Sequence, residues 1–377
     1  GFELKGSLRP DLLAEAFQSV WAASDIARFR FHLADGSQSF GARLLPIEFS
    51  AEEAADAKVK ARFAKVFERP FDLEKEAPLR LCLLQTKPEK AILGVVAHHL
   101  ALDGWSLARL LEKATEAYNA LCRNEPLPAF SWEPFAAYTQ NLKARLAAPE
   151  AALSADFWRS KTFRAPPLLE AYRPETRGHR VIYIFNKKYY QKIRELAKAH
   201  RVTPFLFLLT CFSRSLGKVL KRDELLLSVP IASRDGDREE FVLGNCVNLM
   251  PFEVTLSSEL DYARDLKEMR ERYVDAIGHA QTPMAEIQGM HPVDLTQIHF
   301  NFEPSVEEPK LDGLEIEFYP FPITQVEKPI IINVNDTKKT YYIEIDYQFQ
   351  ALDLVRALTL FTETERVINK IGALEIK

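Results

Sequence analysis

The hydrophobic pattern of this 377-residue chain switches between strand and helix periods repeatedly, and it does so in both halves. Apolar residues three and four apart mark helix; alternation, or a short unbroken apolar run, marks strand. The first half opens with a strand at 2–5, a helix at 10–21 and a strand at 28–33 that ends in the turn Asp35-Gly36. A long charged helix is expected over 51–68, stopped by Arg69-Pro70. Strands at 79–85 and 91–97 follow, the second apolar throughout, as a strand buried on both faces must be. A helix then runs from Trp105 to about Leu121. The second half repeats the theme, with strands at 181–186, 225–231 and 247–254 and helices at 188–200, 203–219 and 262–279. Four more strands (298–302, 314–319, 329–334, 341–349) and a last helix at 352–371 complete it. Interleaved strands and helices imply an α/β architecture, and the length calls for two lobes. Pro166, Pro167, Pro174 and Gly178 fall in a stretch of little periodicity, which reads as the connection between them. The expected division is a lobe at 1–163, a linker at 164–180 and a lobe at 181–377.

Composition narrows the function classes. At 47% hydrophobic and 27% charged the chain is ordinary globular material. A net charge of −4 without a Lys/Arg block argues against a nucleic-acid partner. No apolar run approaches the ~18 residues of a membrane span, and Gly1-Phe2-Glu3-Leu4 does not open a signal peptide. Cys82, Cys122, Cys211 and Cys246 lack metal-binding spacing and sit mostly among apolar neighbours. They read as free thiols, so the expectation is a cytoplasmic protein with no bound metal and no membrane contact.

The chemistry concentrates in Ala97-His98-His99-Leu100-Ala101-Leu102-Asp103-Gly104-Trp105-Ser106. Two histidines leave a buried strand, and an acid and a glycine stand just before a helix. A strand end is a rigid support from which a loop exposes reactive side chains. Neighbouring strand residues point to opposite faces, so only one of the two imidazoles can look into a given cavity. Asp103 is also placed to cap the following helix. Imidazole titrates near pH 6.5, which suits proton transfer at neutral pH. Ser106 has no base beside it in sequence, which argues against an acyl-enzyme on its hydroxyl. With 8 histidines in the chain, the full string should arise by composition in only on the order of a few chains in ten thousand.

That string matches the HHxxxDG motif of condensation domains of nonribosomal peptide synthesis, and Trp105-Ser106-Leu107 extends the match. Further segments resemble the family in its order along nearly the whole chain. They are the opening Leu4–Leu8 and Arg28–Phe31, a degenerate tyrosine segment at 132–138, Val229-Pro230-Ile231-Ala232-Ser233-Arg234, and Leu243-Gly244-Asn245-Cys246-Val247-Asn248. Two later echoes are His279-Ala280-Gln281-Thr282-Pro283 and Phe300-Asn301-Phe302. The family's first motif, ahead of the opening strand, is absent, which reads as a missing or replaced N-terminal piece. Met284 and the tyrosine segment mark a divergent member, either free-standing or an excised domain.

The resemblance implies two chloramphenicol acetyltransferase-like α/β lobes in a V around a substrate tunnel. It implies that His99 is catalytic, with Asp103 and Gly104 completing the motif. His98 would support it, Arg234 would pair with Asp103, and Gly104 would keep the tunnel open. Trp105, Asn248 and Asn301 are the tunnel-lining candidates. The implied reaction moves an acyl group from a carrier-protein phosphopantetheine thioester to an amine or hydroxyl, making an amide or ester in nonribosomal peptide or hybrid polyketide biosynthesis. The chain would act as a monomer without a resident cofactor, on an acyl or peptidyl carrier protein and a free or carrier-bound acceptor. The alternatives are an acyl-CoA-dependent transferase of the same fold and a catalytically silent module that only docks carrier proteins.

Overall fold

The computed structural model describes residues 1–169, 176–234, 236, 238–257, 261–303, 310–321 and 323–374. In chain order the elements are β1 (Phe2–Gly6), α1 (Pro10–Ala22), β2 (Phe29–His32), β3 (Ser37–Phe40), β4 (Glu48–Glu53), α2 (Val59–Phe67), β5 (Leu79–Lys87), β6 (Lys90–Ala97), α3 (Gly104–Cys122), α4 (Phe135–Ala147) and α5 (Pro149–Ser160). Then come β7 (Gly178–Phe185), α6 (Lys187–Ala199), α7 (Pro204–Leu220), β8 (Glu224–Ala232), β9 (Val247–Thr255), α8 (Tyr262–Ile277) and α9 (Met284–Met290). The chain closes with β10 (Ile298–Glu303), β11 (Leu314–Phe318), β12 (Ile330–Asp336), β13 (Tyr341–Gln348) and α10 (Leu354–Leu374).

The chain forms two compact units, each α/β. The first comprises 1–144, 234–246 and 306–322; the second comprises 145–233, 247–305 and 323–377. The expected cut at 163 and 181 treats each lobe as one continuous stretch, whereas two later segments return to the first unit. β11 returns because β1 presents an open edge that pairs with it antiparallel, Leu4 opposite Ile316. The segment 234–246 returns because its backbone and Arg234 satisfy a buried carboxylate described below. Part of the expected linker, 170–175, lies outside the described residues.

In the first unit the sheet order is β11-β1-β6-β5-β4, so β6 is central, as its unbroken apolar run requires. Residues of one parity, such as Leu81, Leu83 and Leu93, join the core formed with α1 and α3. Those of the other parity, Cys82, Leu84 and Ile92, pack with Val59 and Phe63 of α2. Gly94 is needed on this second face, because a Cβ there would lie 2.5 Å from both Phe63 and Phe67. The expected helix at 51–68 is only half right. Residues 48–53 pair in parallel with β5 as an edge strand, and the helix begins at Val59. Alanine and glutamate favour helix locally, but the hydrogen-bonding edge of β5 overrides that preference.

In the second unit the order is β7-β13-β12-β10-β8-β9, with β10 parallel to both β12 and β8. Ile298, Phe300, Ile330, Ile332, Val334, Ile343 and Ile345 form one core with α6, α7, α8 and α10. The alternate residues, including His299, Asn301, Asn333 and Glu344, therefore stand on the opposite face. Helix α7 is buried over most of its length, which explains why its sequence is apolar all round. Helices α4, α5 and α9 were not expected; in α4 and α5 the apolar residues are spread around the helix with only a weak stripe, and α9 is seven residues long.

Candidate active site

Strand β6 ends at Ala97, and the turn 98–103 delivers the motif into α3. The peptide groups of this turn are satisfied locally: Ala101 N–H and Leu102 N–H both donate to His98 C=O. His98 is half-buried, and its Nδ1 accepts the Leu100 N–H at 3.1 Å. A backbone N–H can only donate, so Nδ1 is the acceptor and a neutral His98 carries its proton on Nε2. Burial, aided by the neighbouring His99, lowers the His98 pKa below its usual value. Phe71 packs edge-on against the His98 ring, with centroids 5.9 Å apart. The wholly buried Arg80 lies 3.7 Å over the Phe71 ring. His98 is thus a structural member of the turn.

His99 is exposed and makes no hydrogen bond to the described residues. Its imidazole is open to take or give a proton, which is the chemistry such a strand-end histidine can supply.

Asp103 is the opposite case, with 2% of its surface exposed. Its Oδ1 accepts the Ser106 N–H at 2.8 Å, capping α3, and Arg234 Nη2 at 3.1 Å. Its Oδ2 accepts Arg234 Nη1 at 2.7 Å and the Cys246 N–H at 2.9 Å. Four donors on one carboxylate satisfy the condition for burying a charge. Burial by itself would weaken the Arg234 charge, yet the Asp103 partnership prevails and raises its pKa. Ser106 Oγ ties the same segments together, donating to Gly244 C=O at 2.8 Å while accepting from Gly244 N–H and Arg234 Nη2. A Cβ at Gly244 would meet the Phe135 ring at 2.1 Å, so only glycine lets the segment close down here. Burial pushes the Cys246 thiol up to about 12, which leaves it protonated and unreactive.

Of the expected site residues, His98, His99, Asp103, Gly104, Trp105 and Arg234 all belong to the first unit. Gly104 is exposed and opens α3. Trp105 donates its indole N–H to Glu240 C=O at 3.1 Å and stacks beneath Arg109, so it too fastens the returning segment. Asn248 and Asn301 belong to the second unit. The Asn248 amide donates to Ala280 C=O and Thr282 C=O and accepts the Met284 N–H. It clamps the loop before α9 and has few hydrogen-bonding positions left for a ligand. Asn301 is half-buried on the face of its sheet opposite the residues that join the core. Sequence reasoning weighed Ser106 only as a nucleophile and missed its role as a tie. The signal for that role lay in the glycine segment at 243–248, whose partner could not be read without the fold.

A strand-end histidine beside a buried acid–arginine cradle, on an α/β unit, is the arrangement that the motif resemblance implies. The family model for the condensation domain matches residues 1–373, and this chain belongs to that family. Among curated proteins it is 24% identical over 284 residues to malpinin synthetase of Mortierella alpina, covering 70% of this chain but 4% of that protein. The chain therefore corresponds to a small part of such relatives. Among solved structures, the first condensation domain of the calcium-dependent antibiotic synthetase superposes with a TM-score of 0.83 at 14% identity, over 98% of this chain and 88% of that one. The X-domain from teicoplanin biosynthesis, seen in complex with OxyB, gives 0.78 at 18% identity, over 99% and 87%. These likenesses establish the fold. No helix among the described residues is long and apolar enough to cross a membrane.

Proposed function

We propose that the chain transfers an acyl group from the phosphopantetheine thioester of a carrier protein to an amine or hydroxyl acceptor, forming an amide or ester in nonribosomal peptide or hybrid polyketide biosynthesis. The observation that carries this reading is the contrast within one motif: Asp103 is buried and bonded through both carboxylate oxygens, while His99 is exposed and makes no hydrogen bond to the described residues. The His99 imidazole takes the acceptor's proton as its nitrogen or oxygen attacks the thioester carbonyl carbon. The tetrahedral intermediate then expels the thiolate, which recovers the proton from the imidazolium. A hydroxyl needs this base more than a neutral amine does. Gly104 leaves the start of α3 without a side chain beside these events. The acyl-bearing phosphopantetheine is substrate, and the chemistry asks for no resident cofactor.

The X-domain in complex with OxyB has the same fold, so docking without turnover is the second reading. Intact-mass spectrometry of an acyl-loaded carrier protein, incubated with the chain and a mixed pool of amines and alcohols, separates the two. Native protein should unload the carrier and yield one amide or ester. His99→Ala should slow this by roughly 10²–10⁴-fold, the worth of a positioned acid–base group, with unchanged thermal stability. Binding without unloading would establish docking, and equal use of acyl-CoA would remove the carrier from the proposal.

A further inference from the structure

The two units repeat one strand arrangement and treat its outer edge differently. In the first, β1-β6-β5-β4 pair antiparallel, antiparallel and parallel. In the second, β7-β13-β12-β10 pair in the same three senses. The outer edge of β1 is covered by β11 along its whole length, whereas β7 is an edge strand. Only its start is covered: Gly178 N–H donates to Thr324 C=O, and Val326 N–H donates to Thr176 C=O. Phe349 N–H donates to Arg177 C=O, so odd-numbered residues face β13 and even-numbered ones face outward. The backbone N–H and C=O groups of Arg180, Ile182 and Ile184 thus point outward and bond no other described residue. The Ile182 and Ile184 side chains are also open, at 37% and 54% exposure. The other three edge strands of the two main sheets are guarded. β4 exposes Glu48, Glu52 and Glu53, and β11 exposes Glu315 and Glu317. β9 contains Pro251, and its Glu253 carboxylate accepts the N–H groups of Arg164 and Ala165. Charge, proline and cover are what keep a sheet edge from pairing with another chain. Val181-Ile182-Tyr183-Ile184-Phe185 has neither charge nor proline, and every residue in it favours strand.

We infer that β7 pairs with β7 of a second copy of this chain, antiparallel about a two-fold axis at Ile182. The open stretch 180–184 is symmetric about that residue: Ile182 meets the partner's Ile182, and Arg180 meets the partner's Ile184. Both members of each pair have outward N–H and C=O groups, so each pair exchanges two backbone bonds and no open group in the stretch is left over. The side chains agree. Ile182 lies against its own copy across the axis, which removes apolar surface from water. No like charges oppose each other, because the one cation in the stretch, Arg180, is already bonded to Asp346 and Glu344. A second copy is present wherever the chain is, so an unguarded, self-complementary edge meets it before any other strand. A two-fold contact closes on itself, so pairing ends at a dimer. The inference does not rest on the acyl-transfer reading.

The test is sedimentation velocity on the whole chain from low to high micromolar concentration, with amide hydrogen exchange run on the same samples. Native protein should reach the mass of two chains at the top of the range, and exchange at Ile182 and Ile184 should slow in step with dimer formation. Ile182→Lys should weaken the dimer about tenfold, because like charges then face each other across the axis and apolar contact is lost. Ile182→Glu should do the same. Both should keep the native unfolding temperature, since the side chain is partly open to water. An equimolar mixture of the two variants should dimerise again, because opposite charges now meet at the axis. Dimers that survive Ile182→Lys, or a mixture no more dimeric than its parts, overturn the inference. The mass of one chain at every concentration, with fast exchange at both amides, overturns it without any variant. Slow exchange there only after a carrier protein is added would give the edge to a different chain and overturn the second copy as its occupant.

Discussion

The two units each bury an arginine–carboxylate cluster, and they do so for different reasons. In the second unit, Arg180 on β7 meets Asp346 on β13 through two bonds, at 2.6 and 2.7 Å, and Glu344 through a third at 2.7 Å. Arg180 and Asp346 are already register partners, so the backbone ladder holds them opposite each other before any charge is counted. In the first unit, Asp103 is 131 residues from Arg234 and 143 from Cys246, and the described residues of 234–246 include no strand of the main sheet. Here the side-chain bonds of Asp103, Ser106 and Trp105, with a single isolated bridge between Glu133 and Val242, do what a full ladder does elsewhere. The lesson is that a buried ion pair matters most where no continuous backbone ladder already enforces its geometry.

The largest effect should therefore come from Asp103→Ala. It strands Arg234, the Cys246 N–H and the first turn of α3, and should cost about 3–5 kcal/mol, the range for breaking one side of a buried pair. Denaturant unfolding should show the loss, and transfer should fall with it. A thermally intact but inactive variant would instead give Asp103 a direct role in the reaction.

Asp346→Asn should cost less, about 1–3 kcal/mol, because Arg180 keeps Glu344 and the strands keep their register. A loss equal to that of Asp103→Ala would break the comparison.

Glu344→Gln should change stability by less than about 1 kcal/mol, since one guanidinium already serves the Asp346 carboxylate. Burial raises the Glu344 pKa, against the opposing pull of Arg180. A raised carboxylate pKa gives stability that is present at low pH and lost as pH rises through the folded value. The variant should thus gain on native protein as pH climbs above about 4.5, then level off. A variant that instead loses ground to native protein over that range would reverse the assignment.

The smallest effect belongs to His98. Its pKa is lowered on folding, so just below pH 6.5 the unfolded chain binds the proton more readily than the folded one. Native stability should rise with pH from the folded pKa up to about 6.5. His98→Gln should flatten that rise in urea titrations run at several pH values, and an unaltered slope would assign it to other groups.

Much of this was legible in the sequence, because local patterns report local physics. The unbroken apolar run at 91–97 marked the central strand, and the string from His98 to Gly104 marked a strand end carrying an acid, a base and a helix cap. Apart from α9, the strands and helices of the second half were readable from their periods for the same reason. The edge strand at 48–53 was not, since its residues favour helix and only the free edge of β5 makes them extended.

The tertiary structure decided whatever depends on partners remote in the chain. It brought Arg234, Gly244 and Cys246 to Asp103, showed Ser106 to be a tie between segments, and put Asn248 to work on a loop. It also set Asn301 beside Asn333, a pairing that parallel register alone creates. Periodicity fixes which face a side chain occupies, but which distant segment lies against that face is settled by hydrogen-bond satisfaction and packing over the whole fold.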